Sequence, residues 1–385
     1  SGGPTGNITS NTVNVTGCQP AQFVPTMTAT ATPTTAGADT TVETVISRSD
    51  NDELLKSASI SMPPGLLGRL AAIPVCVLAD AKAGKCPETS RIGSVIVKAG
   101  TGTAPMPILG PVYLAEGTPG AVASLAIVVP AQVGPVDLGT VVVFGKLVAR
   151  SDVGIDLTFD DIPTMVSGVP MYIRSMDLVL NKPGFMFNAS SCAAQSITGT
   201  LPSAGGKTAA VNIPYQPTGC DTLAFNPQMT AKLTGTAALP GFTATVMGTD
   251  GESTMKAMQL TLPSGIGASA AALGNTCPLD TYNAGNCPAS SVIGSATAQA
   301  SIIADPLTGP VTLVKVPGQA LPALGMRLSG AISLNIMIQN GLAPGGRIMS
   351  TIDGVPDAPI RQFDLTLNPG GMLAADPQVI CQGPL

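Results

Sequence analysis

Ala83-Gly84-Lys85-Cys86-Pro87 is followed by Ile92-Gly93-Ser94, and the same order returns as Ala284-Gly285-Asn286-Cys287-Pro288 and Ile293-Gly294-Ser295. Both motifs recur at a spacing of 201 residues (284 − 83 and 293 − 92), which marks an internal duplication. Working outward, Thr16-Gly17-Cys18 matches Thr218-Gly219-Cys220, and Phe23-Val24-Pro25 matches Phe225-Asn226-Pro227. Ser61-Met62-Pro63-Pro64-Gly65 matches Thr261-Leu262-Pro263-Ser264-Gly265, and Gly110-Pro111-Val112 matches Gly309-Pro310-Val311. Gly168-Val169-Pro170 matches Gly354-Val355-Pro356 at an offset of only 186 (354 − 168). The first copy therefore carries roughly a dozen extra residues within 130–165, which predicts a longer hairpin there.

The cysteines repeat with the motifs. They stand at 18, 76, 86 and 192, then at 220, 277, 287 and 381, giving gaps of 58, 10, 106 and 57, 10, 94. No Cys-x-x-Cys pair and no His is present, so a disulfide framework in an oxidising compartment is favoured over a metal site. Two equivalent sets of four allow three pairings each. The natural choice makes Cys76–Cys86 and Cys277–Cys287 local staples, with Cys18–Cys192 and Cys220–Cys381 closing each unit on itself.

Each unit reads as all-β. Short runs such as Thr40 to Ile46, Ser94 to Lys98, Ala121 to Val129, Thr140 to Ala149, Ile155 to Phe159 and Asp177 to Leu180 alternate with Gly, Pro and Asn. Such runs at regular turn spacing predict two homologous antiparallel β-sandwich domains in tandem. Each would carry a disulfide-closed loop and a short helix, at Gly65 to Ala72 and Gly265 to Leu273. The division is an arm at 1–17, a first β-domain at 18–195, a linking hairpin at 196–219 and a second β-domain at 220–385.

That hairpin, Ser196 to Leu201 and Thr208 to Pro214, has no counterpart in the four residues after Cys381. Ahead of Cys18, however, Val13-Asn14-Val15 resembles Val211-Asn212-Ile213. The arm therefore reads as the second hairpin strand detached from the domain it would follow, with Ile8, Val13 and Val15 as its apolar positions. β-Strand addition to a neighbouring copy would link subunits head to tail, and a contact of that kind does not close on itself. The other readings are a polar terminus on a monomer and a slice of a longer array.

Composition narrows the chemistry. Only 11% of residues are charged, the formal charge is −5, and there is no Trp and no His. Nucleic acid is a poor partner on these numbers, His-based catalysis is excluded, and no run is long enough for a membrane span. Ser253-Thr254-Met255-Lys256 fits the S-x-x-K pattern of acyl enzymes, but its counterpart Glu53-Leu54-Leu55-Lys56 has no Ser. Asp50, Asp52 and Glu53 have the composition of a Ca²⁺ loop and equally that of a solvated turn. Gly100-Thr101-Gly102 and Pro344-Gly345-Gly346-Arg347 lack the context of nucleotide loops. No cofactor is implied. Sequons at Asn7, Asn14 and Asn188 are candidate glycosylation sites. The start at Ser1-Gly2-Gly3 reads either as a processed mature terminus or as an expression boundary.

The pattern Gly-Cys, Phe-x-Pro, Leu-Pro-x-Gly, Ala-Gly-x-Cys-Pro, Ile-Gly-Ser, Gly-Pro-Val and a closing Cys resembles uncharacterised tandem repeats of large secreted bacterial surface proteins. The resemblance covers nearly the whole chain and implies location and repetition, with no activity attached. In assembly logic the detached strand resembles donor-strand pilins. The expectation is a non-enzymatic extracellular or cell-surface subunit that assembles with itself into a filament or fimbrium. The alternative is an adhesin, or an S-layer or stalk module of a longer array, binding a glycan or host surface. Tyr113, Tyr172, Tyr215 and Tyr282 are the rings available for stacking on sugar.

Overall fold

The chain is described by a computed structural model covering residues 22–133 and 136–381. Strand Thr26–Thr32 shows why the repeats fold as sheets: its side chains alternate exposed Thr with buried Met27, Ala29 and Ala31. A period of two places every second residue on one face. The first unit contributes strands β1 (Thr26–Thr32), β2 (Thr41–Ser47), β3 (Ala58–Ser61), β4 (Arg91–Ala99), β5 (Met106–Ala115) and β6 (Ala123–Val133). It continues with β7 (Val136–Ala149), β8 (Ile155–Phe159), β9 (Ile173–Leu180), β10 (Gln195–Pro202) and β11 (Thr208–Tyr215). They form one eleven-stranded antiparallel sheet in the order β1-β2-β9-β4-β5-β6-β7-β8-β3-β10-β11. Its two ends meet where Thr35 bridges Thr218.

The second unit repeats that path with β12 (Gln228–Gly235), β13 (Pro240–Met247), β14 (Met258–Thr261), β15 (Val292–Ala300) and β16 (Leu307–Lys315). It is completed by β17 (Ala323–Ser329), β18 (Ser333–Leu342), β19 (Ile348–Ile352) and β20 (Ile360–Leu367). The order is β12-β13-β20-β15-β16-β17-β18-β19-β14, so every strand from β1 to β9 has its counterpart in the same place. The linking hairpin β10–β11 is part of the first sheet, paired to β3 through Thr198↔Ser61, Gly199↔Ile60 and Thr200↔Ser59. The extra residues of the first copy lengthen β6 and β7 and add the small ribbon of Met165–Val166 and Val169–Pro170.

The recurring Ile-Gly-Ser motif has a packing cause. A Cβ on Gly93 would stand 2.0 Å from the Val179 carbonyl oxygen, and one on Gly294 would stand 1.9 Å from that of Thr366. In both units a bulge lies at this glycine, between Arg91 and Gly93 and between Val292 and Gly294, where neighbouring backbones press together.

The helices differ from expectation. Each disulfide-closed loop carries its α-helix between the two cysteines, at Leu78–Lys82 and Leu279–Asn283. In Gly65 to Ala72 the backbone of Leu67–Gly68 instead pairs with Met186–Phe187, leaving a single 3₁₀ turn at Leu70–Ala72. In Gly265 to Leu273 strand Ile266–Ala268 pairs with Leu373–Ala375, and only Ala270–Leu273 is helical. Long-range pairing outweighs the amphipathic pattern in both copies.

Each sheet wraps its own apolar core, and the units share a third contact. Leu67, Val153 and Phe187 of the first unit pack into the core cluster of the second, beside Ile302 and Ile303. Val153 holds φ 63°, a left-handed conformation costly for a β-branched side chain, while only 3% exposed. Asp357 of the second unit accepts four hydrogen bonds here. They come from Ser190 N (2.9 Å), Ser191 N (3.1 Å), Ser190 Oγ (2.8 Å) and Thr254 Oγ1 (2.7 Å).

Candidate assembly interface

The hairpin β10–β11 seals the first unit. In the second unit no strand takes its place among the described residues, so β14 pairs only with β19 where β3 pairs with both β8 and β10. The consequence is visible residue by residue. Met27 is 7% exposed, and Gly199 and Val211 stand beside it. Its counterpart Met229 is 41% exposed, and Ala231 is exposed where Ala29 is buried. Across the gap Ala58 and Ile60 are buried, while Met258 and Leu260 of β14 are half-buried. β12 and β14 thus flank an apolar groove with small cavities of about 50 and 70 Å³ at its floor, reached by Met229, Phe225 and Met258.

The first unit also shows how such a strand is held. The Asn188 side chain is fully buried. Its amide donates to Pro33 O (2.7 Å) and Thr35 O (2.9 Å), and its Oδ1 accepts from the Tyr215 hydroxyl (3.1 Å). The same hydroxyl accepts from Ala189 N (3.1 Å). Burial pushes the Tyr215 phenol up to about 12, so it remains a donor at any physiological pH. Beyond it, Thr218 N donates to Thr34 O and Ala36 N donates to Thr218 O, fixing the end of the hairpin against the segment after β1.

The cysteines correct one expectation. Cys76–Cys86 and Cys277–Cys287 are bonded as local staples, at 2.02 Å and 1.92 Å. Cys192, however, is bonded to Cys220 and not to Cys18, and Cys220 is therefore not bonded to Cys381. The closing cysteine of one unit joins the opening cysteine of the next, because β11 returns the chain to the place where β10 began. Cys381 is an exposed free thiol. Cys18, the arm residues Ile8, Val13 and Val15, and the sequons at Asn7 and Asn14 lie outside the described residues. Of the three sequons, Asn188 lies among the described residues, where its side chain is buried and bonded to Pro33, Thr35 and Tyr215.

No protein family and no curated protein matches this chain. The site is therefore read from its chemistry.

The remaining motifs make contacts within the chain. Asp50 accepts from Gly102 N (2.9 Å) and pairs with Arg174, and these contacts hold its carboxyl below the ordinary value. Burial opposes ionisation of Asp52, but the Ser49 and Val24 backbone N–H groups outweigh it. Glu53 binds Ser203 and Lys207 and is lowered by them. The candidate Ca²⁺ loop is thus occupied by protein donors. Among the described residues no cluster of three or more His, Cys, Asp or Glu could hold a metal ion, and no helix is long and apolar enough to cross a membrane. Ser253 N donates to Ala224 O, and Thr254 belongs to the Asp357 contact. Tyr113, Tyr215 and Tyr282 are buried, leaving Tyr172 as the exposed tyrosine, at 44%.

Proposed function

We propose that the chain is an extracellular structural subunit whose residues 1–17 add as a β-strand to the second unit of a neighbouring copy, giving a head-to-tail fibre. The observation that carries the reading is the contrast between two equivalent rows, Met27-Ala29-Ala31 covered by a hairpin and Met229-Ala231-Leu233 uncovered. An exposed edge with an apolar face is a template for strand addition. Three disulfides fit an oxidising compartment.

Aligning Thr16-Gly17-Cys18 on Thr218-Gly219-Cys220 sets the register. Val13 then takes the place of Tyr215 and Val15 that of Pro217, the two buried positions at this end of the hairpin, while Ile8 takes the exposed place of Ala210. The shorter match of Val13-Asn14-Val15 to Val211-Asn212-Ile213 is shifted by four residues and keeps the same face, because strand faces alternate with period two. The surroundings favour the first register. Phe187 pairs with Leu67 and Ala374 with Gly267, so Asn188 corresponds to Ala375. Where the first unit sets a phenol against an amide, the second would set Val13 against alanine. The arm accounts for the place of β11, beside β12. With Cys192 aligned on Cys381, the stretch corresponding to β10 begins at Pro384, outside the described residues.

The test compares the full chain with a chain lacking residues 1–17 and with Val13→Asp, by negative-stain imaging and mass measurement. Linear assemblies are expected for the full chain and monomers for both variants. Fibres formed equally by the truncated chain would overturn the reading.

A further inference from the structure

We propose that the interior of the first unit is a binding site for the end of an unbranched alkyl chain, independently of how copies assemble. A cavity of about 80 Å³ lies inside the first sheet. Val97, Ile108, Val129 and Val143 are among its walls, Phe159 is its one aromatic ring, and Thr44 supplies its one polar side chain. Such a space stays dry, and a guest gains by entering it only if the part that enters asks for no hydrogen bond. The size narrows the guest further. A cavity of ~150 Å³ takes benzene, so about half that volume excludes a ring and suits the last carbons of a straight chain.

The two additions that distinguish the first copy meet over this cavity. The lengthened part of β6 contributes Ala131, the ribbon contributes Val166, and Met171 follows the ribbon. At the turn of the ribbon Ser167 Oγ donates to Leu138 O of β7 at 3.1 Å, and at its base Met171 N donates to Thr164 O at 2.8 Å. The ribbon itself has only two paired positions, Met165↔Pro170 and Val166↔Val169. It is a small cover, fastened at its tip by a side-chain bond. Met165, Val169 and Tyr172, on and just after the ribbon, are exposed and give an apolar surround to the length of chain left outside.

The second unit provides an internal comparison. The pairings Val97↔Met176 and Ala298↔Phe363 set Phe363 in the place of Met176. Val355 packs on the core of the second unit, whereas its counterpart Val169 is exposed. Residues 353–359 form no strand, so the ribbon has no equivalent there. The cavity of about 70 Å³ at that end is bordered by Glu252, Ser253 and Thr254, beside the exposed Phe225. A wholly aliphatic cavity under a cover of its own is therefore particular to the first copy. Loose packing inherent in the repeat would appear in both.

The experiment titrates the full chain with 1-butanol, 1-hexanol and 1-octanol, each up to its solubility limit, and follows the methyl groups by NMR. Saturable shifts are expected at Val97, Val129 and Met171. Affinity should rise about fourfold per added carbon until the chain outgrows the cavity. Cyclohexanol should leave the same methyls unmoved. Ala131→Leu fills the cavity and should weaken 1-octanol binding at least about tenfold. Val97→Ile, one methyl larger, is the milder filling variant and should weaken it severalfold while the melting temperature is kept. Methyls of the first unit that do not move with any of the three alcohols, or shifts confined to Met229 and Met258, would overturn the site. Cyclohexanol binding as tightly as 1-hexanol would overturn the assignment to a straight chain.

Discussion

Replacing Asn188 with alanine tests how a strand is anchored at the seam of the first unit. The substitution removes two donated bonds, to Pro33 O at 2.7 Å and Thr35 O at 2.9 Å, and the acceptor of the Tyr215 hydroxyl at 3.1 Å. Pro33 O keeps the bond from Thr40 Oγ1 at 2.9 Å and Thr35 O keeps that from Ala38 N at 3.3 Å, so the stranded group is the Tyr215 proton. Three net bonds at about 1 kcal/mol each, plus the penalty for a buried unpaired donor, give a loss of about 3–5 kcal/mol. At ~2–4 °C per kcal/mol for a unit of this size, the first-unit transition should fall by about 6–20 °C. Tyr215→Phe removes two bonds, the one donated to Asn188 Oδ1 and the one accepted from Ala189 N, and should cost about 1–3 kcal/mol. Thermal and urea unfolding measure both, and amide exchange at Tyr215 and Gln216 should quicken in both. A loss below about 1 kcal/mol for Asn188→Ala, or a larger effect from Tyr215→Phe, would refute the anchoring argument.

Further outcomes concern the seam between the units, the close approaches and acid. Asp357→Ala deprives four donors of their acceptor and should cost ~2–4 kcal/mol, read as a separation of the two units' unfolding transitions. Gly294→Ala drives a methyl into the Thr366 carbonyl and should destabilise the second unit by ~3 kcal/mol or more, while its first unit melts as before. Burial opposes ionisation of Asp250, yet Arg361 outweighs it and the carboxyl titrates below its ordinary value; Arg150 does the same for Asp152. A folded-state value below the unfolded one gives stability that is complete above the ordinary carboxylate range. That stability is lost as pH falls through the folded value, so urea midpoints should decline below about pH 4. Arg361→Ala should flatten that decline, and an unchanged slope would contradict the assignment.

The sequence carried the duplication, the strands and the two staples, because each is set locally. Turn residues, alternating apolar runs and a ten-residue cysteine spacing need no knowledge of the other unit. The partner of Cys192 was illegible for the opposite reason. Equal cysteine sets fit a unit closed on itself as well as a unit bonded to its successor, and only the return of β11 beside the start of β10 decides between them. Asn188 read as a sequon since burial is a tertiary property that three residues do not encode. The helices were misplaced where Leu67–Gly68 and Ile266–Ala268 found strand partners far along the chain. The likeness of the arm to β11 was readable at Val13 and Val15. The place proposed for such a strand rests on the exposure of Met229 and Ala231, which no sequence pattern shows.

Helical reconstruction of the assembled material is the most direct measurement. The account predicts backbone density for residues 9–17 of a neighbouring copy along β12, with Val13 against Ala375 and Val15 turned into the same groove. Density that traces the arm onto its own first unit, or an assembly whose β12 and β14 touch no neighbouring arm, would contradict it.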